Sequence, residues 1–111
     1  MFGRWFDCKA VHAFADSAVA DLVKRVPPSS IAAPAKHTAA RLKNTNDMIF
    51  SRAEAFARAQ PPNLYQKAQL GNRVKWALRE AGYPPEFVDA LTYELVTLIT
   101  LASRKGTRAS G

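Results

Sequence analysis

Apolar residues recur along this chain with the 3.6-residue period of a helix, and pairs of prolines cut the pattern into pieces. Val11, Phe14, Ala15, Ala18, Val19, Leu22, Val23 and Val26 fall at i, i+3, i+4, i+7, i+8, i+11, i+12 and i+15. That spacing predicts an amphipathic helix over about residues 5–26. Lys9, Asp16, Ser17 and Lys24 lie off the stripe, and Asp21 and Arg25 are spaced to pair one turn apart. Pro27-Pro28, Pro61-Pro62 and Pro84-Pro85 each end one segment or open the next, because proline lacks the N–H that a helix interior needs.

After the linker "PPSSIAAP", Ser30 is a candidate cap for the next helix, and Pro34 is tolerated only in its first turn. This second segment runs to Gln60. Ala35, Leu42, Ile49 and Phe56 repeat every seven residues, with Ala39, Asn46 and Ala53 four beyond the first three, a heptad suited to helix-on-helix packing. "KNTND" (43–47) is its weak point, because Asn, Thr and Asp side chains compete for backbone hydrogen bonds. The heptad phase survives across it, so one continuous helix is expected rather than a break with Thr45 or Asn46 as a new cap. A lone polar Asn46 in such a seam can fix register or oligomeric state.

The third segment starts at Asn63, a natural cap, and its core stripe is Leu70, Val74, Ala77, Leu78 and Ala81. Gly71 at the stripe's edge allows a neighbouring backbone to come close, and Gly82 ends the helix. The fourth segment restarts at Pro85 and Glu86. Phe87, Val88, Leu91, Leu95, Leu98, Ile99 and Ala102 give it a broad apolar face. The expected architecture is all-α: about four amphipathic helices in a single compact bundle, up-and-down or orthogonal. Residues 1–102 form the domain, and "SRKGTRASG" (103–111) reads as a disordered basic tail.

The turn in "REAGYPPEFV" (79–88) has the spacing of a helix-turn-helix. The helix after it carries Glu86, Asp89 and Glu94 and no Lys or Arg up to Ala102. Carboxylates beside phosphates are repelled, so a packed helical corner is the expectation.

With 111 residues, the chain suffices for one modest core. Charge is uneven: residues 36–79 hold nine Lys/Arg against Asp47 and Glu54, a surplus equal to the whole chain's +7. A basic middle suits an acidic partner, although scattered cations also serve solubility alone. In the second segment, Lys36, Arg41, Lys43, Arg52 and Arg58 are expected on a solvated outer face. Cys8 is the one cysteine, which favours a reducing, cytoplasmic setting and a buried small hydrophobe over a nucleophile. "LVTLITLA" (95–102) is far shorter than the ~20 residues of a membrane span. His12 and His37 sit apart, His12 with Asp16 one turn on as a surface pair, and no metal or cofactor motif is present. No cofactor and no catalysis are expected.

On a helical wheel, Trp76 and Tyr65 point more than ~120° away from the third segment's core stripe. Gln69, Asn72, Arg73, Arg79 and Glu80 share that outer half, with Lys75 at its margin. A tryptophan there calls for a cover: the N-terminal "FGRWF" (2–6) or a partner. The binding surface expected is Tyr65, Gln69, Asn72, Arg73, Trp76 and Arg79, types rich at interface hot spots. The function expected is a non-catalytic interaction or assembly module, self-associating as a homodimer or binding a protein partner. The alternative is nucleic-acid binding through 36–79, with Trp76 and Tyr65 stacking on bases.

Overall fold

Each proline pair falls where a helix stops. The structure, a computed structural model, describes residues 7–110, with side chains through Arg104. Among the described residues there are five helices and no strand: α1 (Lys9–Arg25), α2 (Pro28–Ala32), α3 (Thr38–Ala59), α4 (Leu64–Ala81) and α5 (Pro85–Ser110). The all-α bundle expected from periodicity is the fold. No helix is long and apolar enough to cross a membrane.

The four long helices form a ring in which α1 packs on α3 and α4, and α5 packs on the same two. Side-chain bonds give the directions. Along α1 and α4, Asp7 O accepts from Gln66, Asp16 from Arg73, and Val26 O from Tyr83 just past α4, so these helices run parallel. Phe14 stacks on Phe56, while Asp21, further along α1, meets Arg52, earlier in α3; that pair is antiparallel. Lys75 with Asp89, and Gly71 with Val96, make α4 and α5 antiparallel. The chain therefore goes up and down, and Gln60–Asn63 crosses a diagonal of the ring. Four residues of extended chain reach about 13–14 Å, enough for that crossing.

The helix α1 buries Val11, Ala15, Ala18, Val19 and Leu22, with Phe14 and Val23 half-buried. It begins at Lys9, later than expected, where Asp7 Oδ1 accepts the Lys9 amide at 3.0 Å. The expected Asp21–Arg25 pair does not form. Asp21 instead holds Arg52 of α3, whose guanidinium also donates to Ser17 Oγ at 2.7 Å. Arg52 thus ties α3 to α1 instead of lying on a solvated face.

The short α2 replaces the plain linker expected. Ser30 lies inside it, donating to Pro27 O at 2.7 Å, and α3 starts only at Thr38, beyond Pro34. The helix α3 is continuous through 43–47, but its inward face is not the heptad. Thr45, Ile49, Ala53 and Ala57 are buried, with Leu42, Asn46, Phe50 and Phe56 half-buried beside them, while Ala35 and Ala39 are exposed. A helix packed on two neighbours needs a wider face than a two-helix seam. Packing rather than propensity carries "KNTND": Thr45 is turned inward, 3% exposed, and Lys43 reaches Asp47 at 3.3 Å on the outside.

Asn63 caps α4 as expected, within a full capping box: its side chain accepts the Gln66 amide at 2.8 Å, and Gln66 Oε1 accepts the Asn63 amide at 3.0 Å. A Cβ on Gly71 would stand 3.2 Å from Val96 Cγ2, so glycine there sets how closely α4 approaches α5. Gly82 closes α4 at φ 104°, a left-handed conformation that favours glycine. Its amide reaches Leu78 O and Arg79 O, and the Tyr83 amide also reaches Leu78 O.

The turn that follows is a packed corner. Tyr83 is 4% exposed, stacks on Phe87 with ring centroids 4.9 Å apart, and donates its hydroxyl to Val26 O at 2.6 Å. Beyond it α5 buries Val88, Leu91, Leu95, Ile99 and Ala102. The helix continues to Ser110, past Ala102 where its end was expected. Ser103 Oγ donates to Ile99 O at 2.7 Å in this extension, and the basic sequence from Arg104 onward suits a helix C-terminus.

Two stability predictions follow from this core. Asn46 Oδ1 is buried with no hydrogen-bond partner. Asn46→Leu should therefore raise stability by about 1 kcal/mol, read as a higher urea midpoint at unchanged slope; a lower midpoint would show that the amide is satisfied.

Burial pushes the Tyr83 hydroxyl up to about 12, against about 10 in an unfolded chain. The fold thus favours the neutral phenol, a stabilisation complete below about pH 10 and lost as pH climbs toward the folded value. Tyr83→Phe should cost about 1 kcal/mol at neutral pH, and the gap to wild type should narrow through that alkaline window. A gap constant across it would mean that the hydroxyl is not buried.

Candidate functional site

Residues spaced alternately by four and three stay on one side of a helix. Along α4, Tyr65, Gln69, Asn72, Trp76 and Arg79 have this spacing, and the stripe lies opposite buried Leu70, Val74 and Leu78. The two fixed ends of α4, the Asn63 box and the Gly82 stop, hold the stripe straight over about 21 Å. Trp76 is 55% exposed and Tyr65 37%, Asn72 and Arg79 are exposed, and Gln69 is half-buried. The "FGRWF" segment expected as a possible cover lies outside the described residues.

Arg73 does not belong to this stripe. It turns onto the α1 side of α4, where its Nε and Nη2 both donate to Asp16, each at 2.9 Å. This bidentate fork is one of three ion pairs that bridge helices in the described structure, with Arg52–Asp21 and Lys75–Asp89; Lys43–Asp47 and Arg58–Glu54 lie within α3. The expected pairing of His12 with Asp16 gives way to Arg73, whose fixed fork satisfies both carboxylate oxygens. Hydrogen bonding from Arg73 is the largest cause holding the Asp16 carboxyl below its usual range, with its charge and that of His12 adding to it.

These pairs also thin the basic middle. Of its nine cations, Lys43, Arg52, Arg58, Arg73 and Lys75 already hold carboxylates. On the α4 stripe itself, Arg79 is the remaining cation.

Cys8 is 9% exposed at the start of α1. Burial first, and the neighbouring Asp7 charge second, push its thiol upward, away from the thiolate that attacks electrophiles or binds metals. Among the described residues, no three His, Cys, Asp or Glu side chains gather as metal ligands. The α4 stripe has the geometry of a surface: a flat aromatic ring, amides that both donate and accept, and one guanidinium. Compared with known proteins, the chain matches no family model, no curated protein and no solved structure.

Sequence periodicity found the stripe because Trp76 and Tyr65 break the polar rule of an outer face. It did not find Asp16 as the partner of Arg73, since the residues are far apart in sequence and nothing local couples them. Removing the guanidinium tests the seam. In Arg73→Ala the Asp16 carboxyl should titrate at higher pH than in wild type, followed by its carbonyl NMR shift. With a depressed folded value, the pair's stabilisation is present above about pH 4 and lost as pH falls through that value. An Asp16 titration unmoved by the variant would mean that the fork does not form in solution.

Proposed function

We propose that this chain is a non-catalytic helical interaction module that self-associates through the outer stripe of α4, as a homodimer in the cytoplasm. The observation that carries the reading is Trp76, 55% exposed in the middle of an ordered helix. Such a ring gains most from being covered. The stripe is also suited to a second copy of itself. Two α4 helices laid antiparallel about Asn72 bring Tyr65 of one to Arg79 of the other, and Gln69 to Trp76. Amides pair with amides at the centre, and a guanidinium lies against an aromatic face at each end. That is the isologous arrangement of a two-fold dimer.

The alternative, a nucleic-acid surface built from residues 36–79 with Trp76 and Tyr65 stacking, has less support. The cations nearest to Trp76 along the seams, Arg73 and Lys75, are held by Asp16 and Asp89.

Light scattering at about 50 mM and about 500 mM salt separates the two readings, because phosphate binding weakens steeply with salt and an apolar interface does not. The expected result is twice the 12.2 kDa chain mass at both salts, with no shift on adding a single-stranded oligonucleotide. Trp76→Ala should give a monomer whose stability, compared with wild type diluted until it too is monomeric, changes by no more than about 0.5 kcal/mol. A wild-type monomer at every concentration overturns the reading. So does a Trp76→Ala loss of about 3–5 kcal/mol, the cost of a ring packed inside one chain.

A further inference from the structure

At the far end of the ring, where α1 stops and α3 starts, the surface is concave and carries cations that no carboxylate claims. One depression, of about 480 Å³, is lined by Lys24, Arg25, His37, Arg41, Asn44 and Thr45. A second, of about 230 Å³, adjoins it through His37 and Arg41 and adds Lys36, Ser30 and Thr38. No Asp or Glu lines either one. The closest acids along the chain are occupied, Asp21 by Arg52 and Asp47 by Lys43. Lys24, Arg25, Lys36 and Arg41 enter none of the ion pairs of the described structure. Like charges gathered from two separate segments, with their counter-charges absent, repel one another and disfavour the fold. An anion in the cleft relieves that repulsion.

We infer that this cleft is a binding site for a small organic phosphate. The donors suit the class. Arg25 and Arg41 can each fork onto phosphate oxygens. Lys24 and Lys36 add charge, Asn44 an amide, and Thr38 a hydroxyl that accepts from the Ala35 amide at 2.9 Å and keeps its own proton to donate. The first turn of α3 rises from the same wall, where its positive dipole end is offset by the negative C-terminal end of α1, so the side chains carry the positive potential of the site. Thr45, 3% exposed, forms part of the floor. The larger depression is open to solvent and has room for more than a bare ion. A nucleic-acid strand needs a cationic track running on past the cleft. Here the next cations along α3, Lys43 and Arg52, are taken by Asp47 and Asp21.

The test is calorimetry and amide NMR shifts on the full chain, titrated with inorganic pyrophosphate and with a nucleoside diphosphate. Variants are Arg41→Ala and Lys24→Ala, with Lys9→Ala, exposed at the opposite end of α1, as the control. Arg41 and Lys24 are both exposed on helices, and alanine is the best helix former, so circular dichroism should show both variants folded. The expected result is saturable binding of both probes, the nucleoside diphosphate more tightly, with shifts confined to residues 24–26 and 36–45. Arg41→Ala and Lys24→Ala should each weaken binding by about tenfold, the loss of one charge-assisted contact, and Lys9→Ala should leave it unchanged. The inference is overturned if neither probe saturates at about 1 mM, a level that corresponds to about −4 kcal/mol. It is equally overturned if Lys9→Ala weakens binding as much as Arg41→Ala, or if a single-stranded oligonucleotide alone binds and its shifts spread over all of α3 and α4.

Discussion

The hydroxyl of Tyr83 on the carbonyl of Val26 joins the two ends of the chain's architecture. Val26 stands just past α1, and Tyr83 stands in the corner between α4 and α5. The bond needs three local conditions. Gly82 must take its left-handed conformation to turn the chain, Pro84 and Pro85 must stop α4 from continuing, and Phe87 must stack beneath the ring. Pro28 then packs over Gly82, 3.8 Å from where a Cβ would stand, so the corner after α1 and the corner after α4 dock on each other. A bare carbonyl at the end of α1 would also project partial negative charge toward the cleft beside it. Taken by Tyr83, Val26 O is satisfied, while the Val26 side chain lines the smaller depression. One phenol thus fixes α1 parallel to α4 at this corner.

From that fixed corner the ring follows. With α1 beside α4, the short α4–α5 turn lays α5 antiparallel along α4, and the tight contact at Gly71 sets their spacing. The helix α3 must then fill the remaining side, against both α1 and α5. That double duty explains why its inward face is broad and why Thr45 and Asn46 are drawn toward the interior. It also explains the placement of Arg52 and Arg73, which stand at the two seams of α1 and bind Asp21 and Asp16 there. Half-exposed pairs of this kind contribute little energy singly, but they are directional. Rotating or slipping α1 by one turn would lose both at once.

Much of this was legible in the sequence because it is local. Helix stripes, the Asn63 cap, the Gly82 stop and the close approach at Gly71 depend on neighbours within one or two turns, where spacing and residue type decide the outcome. Continuity of α3 through "KNTND" was legible as well, from apolar phase. What sequence could not give is pairing at a distance. Asp16 had His12 and Asp21 had Arg25 at i, i+4 spacing, yet both found arginines on other helices. Tyr83 looked like a turn residue between Gly82 and Pro84, and only the arrival of Val26 makes it a core residue. The cleft was invisible for the same reason: Lys24 and Arg25 belong to a segment of nearly balanced charge, and the fold sets them beside Lys36, His37 and Arg41. The α4 stripe is the intermediate case. Its outward direction was readable from the wheel, but Arg73, at the edge of that half, could be assigned to the seam only once α1 lay beside it.

Folding therefore redistributes a charge that the sequence concentrates in residues 36–79. The surplus of +7 is not spread as a basic belt through residues 36–79, because seam and α3 pairs consume five of the cations there. The consequence is two chemically different surfaces on one small body. Along α4, the loss of Arg73 to the seam leaves Trp76 and Tyr65 among amides with Arg79 at one end, a face of low charge density suited to aromatic contact and to a copy of itself. At the end of α1 and the start of α3, unpaired cations line a concave surface without any carboxylate, suited to an anion and hostile to an apolar partner. Because salt screens the second surface and spares the first, the two respond to solution conditions independently. A homodimer built on α4 would carry two such clefts, each with its charge left uncompensated by the interface.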